Sequence, residues 1–474
     1  MEELTPRERV NTNRQGDRKP NRQSTQFYKD YREIDPHDFL DQAYHGTGGF
    51  SGKTGAGQYC FIISNPTENF YATRCQMSIY LNMVKKMVDV MWKPIFRDNI
   101  KTYIETDAGS TIEHHLYLDF VENVTGSGLG LADFCKNALR ESIIHDVSYV
   151  CMDMLEGDTQ PFIYLKSATS LLEYETDEKG GLISVTFDEG VETSGSGKIF
   201  YRRYIGLDAW RLLVSDDGKE FRVAKEVINN LGILPVYPMF SNGQAVSGDY
   251  RPWPSLYSVG AYSAYLYDKN SKLDYVIDKQ AHSIKVFQGL TDASLSNGID
   301  NCIILPPDES IRIAPSILSP DSGLIQVHSD RIDRALGYLY DIMEDNGVSV
   351  QRGNLQAESG VAKAYTFNAT NTVLLEKVNV LKSFTKWLYQ TYKIFTNDTG
   401  TWLSYTEFPV NFTPRASLSV DEMIRLIDMY NMENLPKNKA DLLLRLRSVI
   451  DPNASREEEE DFLTEIKTTV RTPD

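Results

Sequence analysis

The chain has 474 residues, 41% of them apolar and 24% charged, and a formal net charge of −17. That is length for about three modules at ~150 residues each, with ample apolar matter for packed cores. The acidic balance argues against tight nonspecific binding of nucleic acid by phosphate neutralisation, without excluding weaker contact.

Five cysteines (Cys60, Cys75, Cys135, Cys151 and Cys302) make an odd set without C-x-x-C spacing. Neither a disulfide framework nor a zinc ribbon is implied, and free buried thiols in a reducing compartment are expected. The stretch from Met1 to Lys19 is polar and charged, and no run reaches the ~18 apolar residues of a membrane span. No signal peptide and no membrane partner are expected, and assembly in the cytoplasm is implied.

Residues 1–35 are rich in Arg, Asn, Gln and Asp. Alone, such a segment does not offset its ordering entropy, so an arm held by another chain is expected. The first firm helix begins at Asn65-Pro66, with Glu68 at the reciprocal capping position. Tyr80, Val84, Met87, Val88 and Met91 give it one apolar face, and Pro94 stops it. A second helix is predicted from about Leu129 to Met154, with Leu131, Cys135, Leu139, Ile143, Val147 and Val150 in phase. Between Pro161 and Pro238 short runs of β-branched and aromatic residues alternate with Gly, Asp and Ser turns, which predicts a strand-rich module.

From Pro254 the helical period returns. A helix from Ser255 to about Val286 would be about 48 Å long at ~1.5 Å per residue. Val259, Leu266 and Leu273 recur every seven residues along it. Four prolines (Pro306, Pro307, Pro315 and Pro320) then break residues 290–327 into short strands and turns, with Leu324-Ile-Gln-Val327 as one apolar run. Ser329 is expected to cap a helix through Ile332, Leu336, Leu339 and Met343, stopped at Asn346-Gly347. A polar loop with glycines at Gly347 and Gly360 leads to the longest candidate helix, Gly360 to Phe395. Leu374, Leu381 and Leu388 repeat every seven residues there, the pattern of packing along other helices. Poor helix formers between Thr366 and Thr372 predict a kink or a delayed start. Trp402 to Phe412 reads as a strand, and the tail as helices near 420–434, 437–449 and 456–468.

The glycine run from Gly46 to Gly57 imitates a phosphate-binding loop. The motif needs Gly five residues before Gly52-Lys53-Thr54, where Thr47 stands, and the preceding stretch from His37 to His45 is polar. A Gly-rich hinge is the plainer reading, and a nucleotide-binding enzyme using Lys53 and Thr54 is the alternative. His114 and His115 are adjacent and would face opposite ways on a strand. His145-Asp146 lies in a helical run, where a cap or interface role is expected. No nucleophile motif and no metal-spaced carboxylate cluster appears. No catalytic residue, no metal and no cofactor are therefore expected.

The order of elements resembles that of tailed-bacteriophage portal proteins, the head-to-tail connectors. The resemblance rests on Tyr71-x-x-Arg74, Tyr80-x-Asn82 and Phe96-Arg97, then Leu139 to Asp146, Gln160-Pro-Phe-Ile-Tyr164, Leu231 to Pro238, Ser255-Leu-Tyr-Ser-Val259 and Glu358-Ser-Gly-Val-Ala362. It departs from the family pattern where Pro94-Ile95 and His145-Asp146 stand in place of glycine. It covers roughly residues 65–465 as an ordered series of individually weak motifs.

The fold that the resemblance implies is an α+β subunit. An N-terminal arm would span 1–62 and a mixed wing 63–253, followed by stem helix 1 over 254–287. A small β-containing clip over 288–328 leads to stem helix 2 over 329–346. A channel loop over 347–360 leads to the long kinked wing helix and strand over 361–413, and a helical crown closes the chain at 414–474. It implies a ring of about twelve copies at one capsid vertex of the virion, through which double-stranded DNA is packaged and ejected. The partners implied are the large terminase (the motor ATPase), the major capsid protein, and a head-tail adaptor or tail protein. In the channel loop Arg352, Gly353, Asn354, Gln356 and Glu358 are the candidates for transient contact with DNA. On stem helix 2, Asp330, Asp333, Arg334, Asp341 and Glu344 are candidates for facing the channel. Val259, Leu266, Leu273, Leu374, Leu381 and Leu388 are candidates for the subunit interface, with packing inside the chain as their other use. Another virion structural protein is the remaining alternative.

Overall fold

A computed structural model describes residues 29–53, 58–63, 71–97, 100–106, 114–194, 197–243, 248–280, 284–288, 302–305, 316–318, 322–345 and 360–409. The fold class is α+β. The chain divides into two units, Met1–Ala357 with Thr372–Phe408, and Glu358–Asn371 with Pro409–Asp474. The first unit holds all of the strands and most of the helical residues among those described. The expected tail helices and the channel loop lie outside the described residues.

The chain first forms helix α1 (Pro36–His45), within the segment expected as an arm. Asp35 caps it, its carboxylate accepting from the His37 amide at 3.0 Å, and Pro36 fits the first turn. Gly46, at φ 66, closes it in the left-handed conformation that glycine adopts without strain. Phe39, Leu40, Ala43 and Tyr44 are its buried face. The described part of 29–62 is thus packed into this chain and corrects the arm expectation there. Tyr31 stacks on Phe39 at 5.0 Å, and Arg251 holds Asp35 through two guanidinium nitrogens at 3.1 and 3.2 Å.

The helix expected from Asn65 through Met91 is two helices, α2 (Tyr71–Met77) and α3 (Met83–Trp92). Asn82 starts the second, its side chain accepting from the Lys85 amide at 2.8 Å. Asn65, Pro66 and Glu68 lie outside the described residues. Pro94 does end α3, by opening a 3-10 turn from Lys93 to Phe96. Strand β1 (Lys101–Thr106) pairs antiparallel with β13 (Trp402–Glu407), the latter shorter than the expected 402–412. Between them in sequence lies α4 (His115–Glu122), whose Tyr117 and Phe120 pack on Tyr389, Tyr392 and Trp402.

Helix α5 (Leu131–His145) is shorter than expected, because Asp146 sits at φ 63 and turns the chain into β2 (Val147–Asp153). Val147 and Val150 therefore belong to a strand. β2 is the middle of a three-stranded antiparallel sheet with β3 (Phe162–Ser167) and β9 (Val236–Phe240). Five further strands form an antiparallel meander: β4 (Leu171–Thr176), β5 (Leu182–Ser194), β6 (Gly197–Gly206), β7 (Ala209–Ser215) and β8 (Arg222–Ile228). The expected strand-rich module is present. Val147, Tyr149 and Cys151 from β2 meet Leu171, Val185, Phe187 and Ile205 from the meander in one core. Ser148, on the opposite face of β2, donates to the Ala138 carbonyl of α5 at 3.0 Å. Both faces of β2 are thereby covered.

Helix α6 (Tyr257–Gln280) ends before the expected Val286, which lies instead in β10 (Ile284–Gln288). β10 pairs in parallel with β11 (Cys302–Leu305) and antiparallel with β12 (Ser316–Leu318). Helix α7 (Ser322–Asp345) starts seven residues before the expected Ser329 cap and takes in Leu324-Ile-Gln-Val327. A four-residue apolar run does not separate the periods of strand and helix, which accounts for the difference. Helix α8 runs as one element over Gly360–Phe395, so its start is not delayed at the Thr366–Thr372 stretch.

Asp146 joins these pieces. Its carboxylate accepts from the Ser255 amide at 2.7 Å and hydroxyl at 2.8 Å, and from the Ser241 hydroxyl at 3.3 Å. Lys377 of α8, nearly buried, donates to the Ser241 carbonyl at 2.7 Å and Asn242 Oδ1 at 3.2 Å. Asp146→Ala removes a charged acceptor and leaves a Cβ residue at positive φ. The expected loss is about 3 kcal/mol in urea melts. Asp146→Gly, relieved of the backbone strain, is expected to recover about 1 kcal/mol of it.

Candidate functional site

Eight of the residues singled out from the sequence lie on the pair α6 and α7, which pack together and flank the sheet of β10, β11 and β12 in sequence. Helix α7 is divided lengthwise. Ile332, Ala335, Leu339 and Met343 are buried, at the i, i+3, i+4 spacing of one apolar face. Leu266 of α6 packs on Ile332 and Ala335, with Leu273 and Leu336 at the margin. On the opposite face Asp330, Asp333, Arg334, Asp341 and Glu344 are all exposed. They fall within about 100° of arc at ~100° per residue, so four carboxylates and one guanidinium share one stripe. Gln326 donates to Asp330 at 2.7 Å one turn away.

Helix α6 carries its charge differently. Asp268 is 3% exposed and accepts from the Ile63 amide at 3.0 Å, from Lys272 at 2.7 Å and from Lys269 at 3.2 Å. Ser271, buried, accepts from the Arg74 guanidinium at 2.9 Å, and the same guanidinium donates to the Ile63 carbonyl at 2.9 Å. These groups fasten α2 and the segment before it to α6. Gly260 permits the approach of α1, since a Cβ there would lie 2.9 Å from Phe39 and 3.0 Å from Leu40. Sequence reading does not single out Asp268, Ser271 or Arg74 for this role. The available signal is Asp268 with Lys272, a pair at i, i+4 on a face otherwise apolar.

The heptad residues are covered by this chain itself. Val259 and Leu266 are 1% exposed, and Leu374, Leu381 and Leu388 are 2% or less. They pack inside this chain, the other use expected of them; Leu273 is half-buried. Arg352, Gly353, Asn354, Gln356 and Glu358 lie outside the described residues.

The glycine run has the reverse polarity to a phosphate cradle. A cradle links a strand to the N-terminus of a helix, whereas here Gly46 caps the C-terminus of α1 and Gly48 to Phe50 form a 3-10 turn. Gly49 lies against the Phe61 ring, leaving no room for a side chain. Lys53 is exposed and Thr54 lies outside the described residues. Among the described residues no group of three His, Cys, Asp or Glu side chains is arranged to hold a metal. No described helix is long and apolar enough to cross a membrane. Cys60, Cys75, Cys135 and Cys151 are free and buried, and burial pushes the Cys135 and Cys151 thiols up. No protein-family model matches this chain, and no curated protein sequence does.

The histidines resolve into structural parts. His114 lies on no strand: it caps α4, its Nδ1 accepting from the Tyr117 amide at 3.2 Å, with Nε2 at 3.3 Å from Asp398. His145 ends α5 fully buried, its ring 5.5 Å from that of the buried His37. Burial and the Arg251 charge push His37 down to about 4; burial and the charges of His37 and Arg251 push His145 down to about 3. Asp35 opposes both shifts. The unfolded chain binds these protons near pH ~6.5, before the folded chain does. Stability is therefore full above that pH and falls as pH drops toward 4. Between about pH 7 and pH 5 the two rings are expected to cost on the order of 2 kcal/mol each. Thermal melts of wild type and of the His37→Phe, His145→Leu variant at both pH values measure the difference. The variant should lose the part of the pH dependence that the two rings supply, since the other titrating groups are common to both chains and cancel in the comparison.

Proposed function

We propose that this chain is a portal subunit of a tailed bacteriophage. About twelve copies would form a ring at one capsid vertex, the channel for packaging and ejecting double-stranded DNA. The observation that carries the reading is the excursion α6, three-stranded sheet, α7, with an acidic stripe on the exposed face of α7. Around a closed ring that stripe is repeated by every copy. DNA carries about one negative charge per ~1.7 Å of duplex, so an acidic bore repels it evenly and offers few points of adhesion.

In this reading α6 and α7 are the stem, and β10, β11 and β12 belong to the clip, where the large terminase docks during packaging and a head-tail adaptor or tail protein afterwards. The major capsid protein surrounds the ring in the virion. Arg352 and Asn354 of the channel loop supply transient phosphate contacts, and the motor ATPase supplies the energy.

Electron microscopy and native mass measurement of the purified chain test the proposal. Annular particles near twelve copies are expected, and a stable monomer under every condition would overturn it. Reversing the stripe with Asp333→Lys and Asp341→Lys is expected to raise the affinity of the assembled ring for short duplex DNA about tenfold at low salt, and to steepen its salt dependence. Unchanged binding would remove the acidic stripe from the bore.

A further inference from the structure

The five-stranded meander ends in two unlike edges. β4 has β5 as its one strand neighbour, and β8 has β7, among the described residues. Every residue of β8 is exposed, Val223 at 52%, Val227 at 42% and Ile228 at 70%. An edge of this length with apolar side chains on both faces is an open template for another strand. Its charge is basic at Lys225, which is exposed, whereas Arg222 reaches Asp216 at 3.4 Å and Glu226 is taken by Arg211 at 2.6 Å. The β4 edge is acidic, with Glu173 and Glu175 exposed and Asp177 and Glu178 next in the chain. The two strands have six and seven residues.

We propose that β8 of one copy pairs with β4 of the next, joining the meanders of neighbouring copies edge to edge. The inference rests on the ring reading above and names the surface that would close it. All pairings inside the meander are antiparallel, so β4 and β8, four strands apart, run in the same sense. A rotation about a ring axis preserves that sense, so the added pair is parallel. Two different edges meeting head to tail form the heterologous contact that a closed ring requires. The competing two-fold contact, β8 against β8 antiparallel, would put Lys225 opposite Lys225 at its centre, and like charges directly opposite are destabilising. The charges thus favour the head-to-tail pair and oppose the dimer.

Cysteine cross-linking in the full chain tests this. Glu175→Cys with Lys225→Cys in a Cys302→Ser background, treated with a short bismaleimide, is expected to give a ladder of covalent oligomers, while the background chain, whose described thiols are buried, gives none. Both positions are exposed, so neither change opens the core. Lys225→Glu should lower the fraction of chain in rings about tenfold, and adding Glu175→Lys should restore it. Rings by microscopy without the ladder would overturn the edge pairing and leave the portal reading standing. Cross-linked dimers from Lys225→Cys alone would replace it by the two-fold contact. Capture of a different protein by the β8 edge in place of a second copy would equally overturn it. Absence of both rings and ladder removes both proposals.

Discussion

At Asp146 the chain must turn from a helix into a strand buried on both faces, and it does so with one residue at φ 63. The Asp146 carbonyl accepts from the Ser241 amide at 2.9 Å, so the turn is also the point where β9 ends. The carboxylate then holds Ser255, which precedes the first turn of α6, and α8 reaches the same place through Lys377. Five elements are fixed relative to one another by a carboxylate and an ammonium group that share Ser241. Burial disfavours both charges, raising the Asp146 carboxyl and lowering the Lys377 ammonium from their usual ranges. Each tolerates this because hydrogen bonds replace the lost water. An aspartate rather than a glycine here gives up backbone ease for a tether.

A similar division of charge runs through the paired helices. Asp268 on α6 is buried and surrounded by donors, so it locks the root of the helix to the segment before α2. The acids of α7 lie on a solvated face, where water screens them and they cost little in the single chain. One helix uses a carboxylate to hold the chain together; the other displays carboxylates in a row. That difference separates structure from proposed function along one helix pair.

Long elements with one strong period are legible in the sequence. Helix α8 is readable to its C-terminal end, although poor helix formers at Thr366–Thr372 suggest a later start than the one it has, and the meander is readable as a strand-rich region. The apolar row on α7 is readable too, although its first turns look like a continuation of the preceding strands. The discrepancies are local. Val147 and Val150 continue the period of α5, because a strand covered on both faces is apolar throughout and mimics one more helical turn. The decisive signal, Asp146 in the left-handed conformation, is invisible without its hydrogen-bond partners at Ser241 and Ser255. Helix α1 is hidden because His37, Asp38, Asp41 and Gln42 mask a narrow face of Phe39, Leu40, Ala43 and Tyr44. The acidic stripe is readable from spacing alone, whereas the fastening of α6 to Ile63 and Arg74 joins residues 205 and 197 positions apart.

Burial along the helix pair changes partway. On α6 buried residues run from Val259 to Ser271, and beyond it Leu273, Tyr275 and Val276 are half-buried while Ile277 is exposed at 43%. On α7 the described buried side chains begin only at Ile332, after Val327 at 48% exposure, and run to Met343. The root of the pair is therefore held by α1 and α3, with Lys86 of α3 lying over the Tyr340 ring at 5.7 Å. The half next to the small sheet has the two helices for each other and less beside. A chain on its own gains little by keeping such a half extended, since it exposes apolar side chains that a shorter connection would not need. In the proposed ring the neighbours stand beside that half, and the length of the pair becomes the depth of the bore.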